Sequence, residues 1–439
     1  MSKTIFNSHT GEMMGKRDSL FDKLVKMAKK GNELAFLLNE DNPYDVKNWT
    51  STGCFILNAV LSDGDIFKGI PDGKRIMISG KSSTAKSLFT SFMIGSYMRR
   101  HENSYAVFFE TEGATVTSMA RTVGIPEDRI IIIPVKTVEE CRHQMLQMLD
   151  QIIDTRKAND EAVQKAVAAV KKKNKKATKE EIDAVVAKVQ DGQIGVGDKF
   201  IFCIDSIGML STTKETTDIA ASSDGPKDMT RAALLKGFAR VTSLKLSIAQ
   251  IPLLVVNHTY ATFDQYNPEA AAGGSGPAYM SDVHLMLFKS KEKDGKVQVG
   301  VKIRAHVVKS RFMIENKNVH ILLHFKRGLY RMSNLVEMAE ELGVFTKEKL
   351  SYVFPDGSKN SMQLVRKHPS KYLTPDVLKA IGDAIKEEYS FGELDERIDI
   401  EDQLEDLDDD LNKGIDGDDI EFDGGDDEGI AEEATANTD

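Results

Sequence analysis

Short apolar runs of strand length alternate along this chain with longer stretches whose apolar residues recur every three or four positions. That alternation predicts a mostly parallel, twisted sheet with helices on both faces. Strands are expected at 75–79, 104–111, 129–135, 199–205, 252–257, 283–288, 297–308 and 319–325. Helices are expected at 87–99, 115–123, 138–156 and 228–249. Within 138–152, the residues Val138, Cys141, Met145, Met148, Leu149 and Ile152 make one apolar stripe, read as a face packed on the core.

The ends and one internal stretch depart from this rhythm. Residues 1–15 are polar and expected to be loose, and 16–38 carries Leu20, Phe21, Leu24, Val25 and Met27 at helical spacing with a break near Gly31. This helical segment either docks on a neighbouring subunit or folds back on its own, and the pattern leaves both open. Residues 155–199 contain KKKNKKATKEE between Ala/Val/Lys-rich helical stretches, which predicts a charged helical hairpin standing off the body. Its lysines (171, 172, 173, 175 and 176) read as a solvated helix end before they read as phosphate contacts. After Ser333 a small helical section reaches residue 392, interrupted by FPDGSKN at 354–360, and a disordered tail fills 393–439. The expected layout is a helical segment at 1–50, an α/β core at 51–332 with the insertion at 155–199, a small C-terminal domain at 333–392, and the tail.

At 439 residues and 41% apolar the chain has room for one large α/β domain with smaller additions. No run approaches the ~20 apolar residues of a membrane span, and the polar N-terminus lacks a signal core, so a soluble, cytoplasmic protein is expected. Cys54, Cys141 and Cys203 lie singly among apolar residues, without the spacing of a zinc site or disulfide framework, and are expected to be buried and reduced. The net charge of -10 conceals an asymmetry: 393–439 carries 22 acidic and 2 basic residues, leaving 56 basic and 46 acidic before it. A basic body with an acidic tail suits a polyanion-binding surface with a tethered competitor, and equally a solubilising tail.

Four stretches carry chemistry. GKSSTAKS at 80–87 follows an apolar strand and opens a helix, the arrangement that cradles phosphates with loop amides, a helix N-terminus and a lysine. It fits GxxxxGK[ST] except that Ala85 stands where the second glycine belongs; an ordinary strand-turn-helix with a surface lysine is the alternative. KFIFCIDS ends in Asp205, placed to support Mg2+ beside the Ser87 hydroxyl, although apolar runs ending in Asp are common. VFFETEGA puts Glu110 and Glu112 two apart at a strand end, so both share one face; one of them can orient water, or both are merely exposed. VVNHTYATFDQYNPEAAAGGSGPAYMSD releases from Asn257-His258 a loop with Tyr260, Phe263, Tyr266, Gly273, Gly274 and Gly276, whose aromatic and backbone groups suit single-stranded nucleic acid. A histidine after a strand is otherwise structural.

These motifs in this order, together with AHVVKSR, resemble the RecA family of strand-exchange proteins, and within it the UvsX-type recombinases of T-even-like tailed phages; the likeness runs from about residue 55 to 344 and is densest in CIDSIGMLSTTKET, DMTRA, NHTY and GGSGPAYMSD. The resemblance implies a RecA-like P-loop ATPase core, ATP with Mg2+, helical filaments of this chain on single-stranded DNA, pairing with double-stranded DNA and strand exchange, and work alongside a single-strand-binding protein and a loading mediator in the cytoplasm of a phage's host. By position it implies that Gly80, Lys81, Ser82, Ser83, Thr84, Ala85, Lys86, Ser87 and Leu88 hold the phosphates, Ser87 and Asp205 hold the metal, Glu112 orients the water and His258 senses the γ-phosphate. Lys309 and Arg311 match basic residues presented to ATP on the neighbouring subunit. DNA would lie along 214–231, with Lys214, Lys227 and Arg231, and along 259–275, with Thr259, Tyr260, Phe263, Gly273 and Gly274. Four departures stand out: Ala85, His258 where RecA itself has glutamine, Met119 where an aromatic often stacks on adenine, and the lysine-rich hairpin at 155–199, longer than the usual connection. The acidic tail also has counterparts in the family that temper DNA binding.

Two other readings share the core motifs. A hexameric helicase would form rings where a recombinase forms helical filaments. A non-enzymatic filament protein would bind ATP with little turnover.

Overall fold

A computed structural model of the chain describes residues 20–32, 34–40, 42, 44–113, 116–175, 177–220, 230–261, 269–272, 279–294 and 297–391. The first elements are α1 (Leu20–Gly31), β1 (Trp49–Thr50), α2 (Phe55–Leu61), β2 (Ile70–Pro71), β3 (Arg75–Gly80), α3 (Lys86–Arg100), β4 (Ser104–Glu110), α4 (Val116–Val123) and β5 (Ile130–Pro134). Next come α5 (Val138–Lys173), α6 (Lys179–Asp191), β6 (Lys199–Asp205), α7 (Thr213–Ala220), α8 (Thr230–Ile248), β7 (Leu253–Ala261), β8 (Glu269–Ala271), β9 (Val283–Asp294), β10 (Val297–Ser310), β11 (Asn318–His324) and β12 (Gly328–Leu329). The C-terminal section holds α9 (Leu335–Glu341), β13 (Thr346–Glu348), β14 (Ser351–Val353), β15 (Lys359–Ser361), α10 (Met362–Lys367), α11 (Pro369–Tyr372) and α12 (Pro375–Tyr389).

The main sheet has ten strands in the order β12-β11-β10-β9-β3-β7-β6-β4-β5, with β8 hairpinned onto β7. From β9 to β5 neighbouring strands are parallel, and β9 through β12 continue antiparallel. Strand alternation divides the core between two faces. Ile76, Ile78, Ala106, Phe108, Ile201 and Cys203 face α2, α3 and α4, while Met77, Val107, Phe109, Phe202 and Ile204 face α5 and α8. Each Ile, Val, Phe or Met side chain among these, taken fully out of water, contributes about 1.5–3 kcal/mol. The three cysteines are buried and unpaired, and burial pushes the Cys54 thiol up to about 11.

All eight expected strands and four expected helices are present, with shifted ends. β7 runs on to Ala261 because Thr259, Tyr260 and Ala261 pair with β8, a hairpin that apolar patterning does not announce. The 36-residue α5 continues unbroken through residue 156 into the insertion, and folds back through α6. Both helices open with capping boxes, Thr137 with Glu140 and Thr178 with Glu181. Beyond Leu149 no residue of α5 is fully buried, and none of α6 is, so the pair stands as an arm zipped by its own apolar stripe. Helix α7, absent from the pattern reading, is capped by Thr212, whose hydroxyl accepts the Glu215 N–H at 3.0 Å.

Helices α9 to α12 carry a three-stranded antiparallel ribbon among them, with FPDGSKN turning β14 into β15. Leu335, Phe345, Tyr352, Ile381 and Ile385 join the same hydrophobic cluster as α2 and α3. At the front of the chain α1 buries nothing: Leu20, Phe21, Leu24 and Met27 are all exposed. Among the described residues no helix is long and apolar enough to cross a membrane. The acidic tail lies outside the described residues.

Candidate nucleotide site

The C-terminal ends of β3, β7, β6 and β4 lie side by side, and each delivers one part of the site. Register puts Gly80 opposite His258 and Glu110 opposite Asp205. The result is a cavity of about 370 Å3 lined by Ser82, Ser83, Thr84, Ala85, Lys86, Ser87, Leu88, Glu112, Asp205, Val256 and His258.

The loop after β3 turns tightly. A Cβ on Gly80 would sit 2.8 Å from the Leu287 carbonyl, so the first glycine is required by close approach. Ser83 and Ala85 have φ of 62° and 67°, in the left-handed region. Ala85 therefore occupies a glycine-type conformation, at a cost of about 1–2 kcal/mol for a residue with a Cβ. The Lys86 ammonium is drawn into the loop and donates to the carbonyls of Gly80 at 2.8 Å and Lys81 at 2.9 Å. Burial holds its pKa below the ordinary lysine range, against the pull of Asp205 and Glu112. A buried cation resting on carbonyls, at the start of α3, is a seat for phosphate oxygens. Lys289 on β9, which the motifs did not single out, also donates to the loop through the Ser83 carbonyl.

Opposite Lys86, Asp205 is hydrogen-bonded by Ser87, and burial raises its carboxyl above the usual range despite that bond and the Lys86 charge. A hydroxyl and a buried carboxylate together make the hard oxygen set that suits Mg2+. The two neighbouring glutamates divide their roles. Glu110, 7% exposed, accepts the backbone N–H groups of Glu112 at 2.9 Å and Gly113 at 2.8 Å, fixing the turn. Glu112 instead faces the cavity: Ser206 Oγ donates to its Oε1 at 2.7 Å and His258 Nε2 lies 2.9 Å from the same oxygen. Burial works to raise the Glu112 pKa, but these bonds and the charges of His258 and Lys86 outweigh it and keep the carboxyl below its ordinary range. Thr111 stitches the strand ends together, accepting Ser206 N–H at 2.8 Å and donating back to Ser206 O at 3.1 Å. The sequence reading gave neither Thr111 nor Ser206 a role, although both sit at the strand ends that carry the acids.

His258 connects the cavity to the loop beyond it. Asn257 Oδ1 accepts the His258 N–H at 2.9 Å, Asn257 Nδ2 donates to the Ala272 carbonyl at 2.9 Å, and Ala272 N–H returns to His258 O at 2.8 Å. Both ends of the 259–272 excursion are thereby tied to the histidine. Tyr260 projects from it, 52% exposed, with Thr259 beside it on β7. Phe263, Gly273, Gly274 and Lys227 lie outside the described residues, as do the side chains around Met119. Lys214 is exposed on α7, but Arg231 turns inward: its Nη2 donates to the carbonyl of Gly208, so it tethers α8 to the turn after β6. That bond occupies one arm of the guanidinium that the resemblance assigns to DNA.

Lys309 and Arg311 do not meet Lys86. Lys309 pairs with His284, itself opposite Met77, and Arg311 lies at the start of β3, where Asp282 accepts a bidentate pair of bonds from Arg75 at 2.8 and 2.6 Å. Arg311 Nε reaches the same carboxylate at 3.5 Å and stays 60% exposed. Burial and the Arg311 charge hold Lys309 below its ordinary range.

The chain is 28% identical over 330 residues to the recombination and repair protein of Enterobacteria phage T4, covering 75% of this chain and 72% of that protein. It is 22% identical over 404 residues to protein RecA of Paracoccus denitrificans, covering 90% and 97%, and 25% identical over 336 residues to protein RecA of Thermus thermophilus, covering 76% and 83%. The chain is thus similar both to a phage recombination and repair protein and to protein RecA of several bacteria. No family model matches it. The order of strands carrying the loop, the histidine and the two acids is what gives the cavity its composition.

Proposed function

We propose that this protein is a DNA recombinase: an ATPase that assembles on single-stranded DNA as a helical filament and carries out pairing and strand exchange. The observation that carries the reading is His258. It contacts the carboxylate placed to orient water and, through Asn257 and Ala272, both ends of the segment proposed to hold DNA. A group that touches both can make occupancy of one depend on the other.

In this reading Lys86 and the amides of 80–88 bind the phosphates of ATP, and Asp205 with Ser87 holds Mg2+, which when bound offsets phosphate charge. Glu112, kept anionic by Ser206 and His258, positions the attacking water. Arg311 lies with Asp282 at the start of β3, whereas Lys86 follows the loop after its other end, which supports service to ATP on an adjacent copy by Arg311 and its neighbour Lys309. The uncovered apolar face of α1 supports the same filament contact. Lys214, Thr259 and Tyr260 contribute to the DNA-facing surface.

Lys86→Ala tests the core of this reading. DNA-stimulated ATP hydrolysis is expected to fall by at least 100-fold with the fold intact, because a buried charge on the phosphates is lost. Electron microscopy of the unaltered protein with single-stranded DNA and a non-hydrolysable ATP analogue should show helical filaments; rings, or no assembly, would reject the recombinase assignment.

A further inference from the structure

A second cationic pocket lies at the far end of α3 from the phosphate loop. The 15-residue helix places its last turn ~20 Å from its first. There a cavity of about 360 Å3 is lined by Arg99 and Arg100 of α3, Lys326 and Arg327 of the turn between β11 and β12, and the hydroxyl residues Thr52, Ser96 and Thr122; among the described residues no carboxylate lines it. Two dibasic pairs more than 220 positions apart in sequence are thus folded against each other.

The pocket is built, not a chance meeting of surface side chains. Gly328, with φ of +77°, packs so tightly on α3 that a Cβ would approach Phe92 to 2.7 Å, which pins the turn carrying Lys326 and Arg327. Arg99 Nη1 donates to Val123 O at 2.8 Å, and Arg100 Nη1 donates to Ser96 Oγ at 2.5 Å. Both ties run through Nη1, so each guanidinium is tethered at one nitrogen while the donors on Nε and Nη2 remain part of its fork. Burial and the charges of Arg99 and Arg331 lower the Arg100 pKa, which marks a concentration of like charge. The Arg331 guanidinium is itself held 5.5 Å over the Phe55 ring. Such a cluster gains most from an anion with several acceptor oxygens, and forked guanidiniums among hydroxyls match a phosphoryl group.

We propose that this pocket is a second phosphoryl-binding site, separate from the loop at 80–88, taking either a backbone phosphate of DNA or the phosphates of a free nucleotide. The exposed Lys326 and Arg327 close over a phosphate seated on Arg99 and Arg100.

The test uses the full chain carrying Lys86→Ala, so that the nucleotide loop is silenced. Pyrophosphate at millimolar concentration should raise its thermal midpoint, and adding Lys326→Gln with Arg327→Gln should remove that rise while leaving the ligand-free midpoint unchanged. Arg100→Gln, alone on the Lys86→Ala background, should act the same way and guards against a folding effect of the double change. A duplex arm separates the sources. If DNA is the ligand, the slope of log affinity against log salt for a 30-base-pair duplex should drop by about one to two on losing Lys326 and Arg327 in the otherwise unaltered protein. A pyrophosphate effect that depends on these residues with an unchanged salt slope assigns the pocket to a free nucleotide. Pyrophosphate stabilisation that is absent, or indifferent to all three residues, together with an unchanged slope, overturns the proposal.

Discussion

Glu110 and Glu112 differ by two positions and share a strand face, yet one holds backbone and the other faces the cavity. Removing each should therefore fail differently. Glu110→Ala strands two backbone N–H groups that now end on a carboxylate, a loss of about 2 kcal/mol in unfolding free energy, with weakened turnover because Glu112 loses its support. Glu112→Ala should abolish turnover with a smaller stability change; urea unfolding and ATPase rates on the two variants check the contrast. His284 makes a second residue-scale prediction. It is 3% exposed, its Nε2 lies 2.8 Å from Ser79 Oγ, and its Nδ1 is buried without a partner among the described residues. Burial, then the charges of Lys309 and His306, hold its pKa down to about 4 from 6.5. Between those values the unfolded chain takes up a proton that the folded chain refuses, so stability is lost as pH falls from 6.5 toward 4, by up to about 3 kcal/mol. His284→Gln, which keeps a partner for Ser79, should flatten the dependence of the urea midpoint on pH in that window.

Individual elements explain why some of the site was legible in the sequence and some was not. The phosphate loop was readable because its geometry is local: a strand, a turn demanding positive φ at 83 and 85, and a helix start all fall within a dozen residues. Asp205 and His258 were readable as strand ends, since β6 and β7 are apolar runs terminated by polar residues. What escaped depends on contacts distant in sequence. Period-two reasoning cannot separate Glu110 from Glu112, nothing local marks Arg231 as a tether, and β8 exists only by pairing with β7. Helix α7 is different, because Thr212 and Glu215 carry the spacing of a capping box and could have been read. The Arg75–Asp282 pair ties β3 to the start of β9 across 207 positions and is the clearest element-scale test. Both side chains are nearly inaccessible, at 6% and 1%, so Asp282→Ala leaves Arg75 buried without its counter-charge. The expected loss is about 3–5 kcal/mol, read as a lower urea midpoint with unchanged slope. Arg311, which shares Asp282, should also lose its placement.

Across the whole molecule, stability is concentrated in the two faces of the sheet, and the arm formed by α6 and the part of α5 beyond Arg156 buries no residue fully against either. Only Val138, Cys141, Met145 and Leu149 of α5 are buried, all within its first four turns. At the base, Arg156 anchors the helix to the carbonyls of Ala249 and, at 3.0 Å, Asp198. Just above, Asn159 Nδ2 donates to Ile194 O at 3.0 Å and Gln193 Nε2 returns to Asn159 O at 3.1 Å, so the two legs of the arm are already bridged there. Everything from 160 to 192 can then be replaced by a short Gly/Ser turn without cutting a buried contact. Such a variant should unfold in one cooperative transition with a thermal midpoint within about 4 °C of the parent, since a loss near 1 kcal/mol moves a domain of this size by only a few degrees. It should also keep its nucleotide cavity, because none of 160–192 lines it. A large drop in midpoint would mean that the arm is part of the cooperative core. Normal stability combined with lost assembly on single-stranded DNA would instead assign the arm to contacts outside its own subunit.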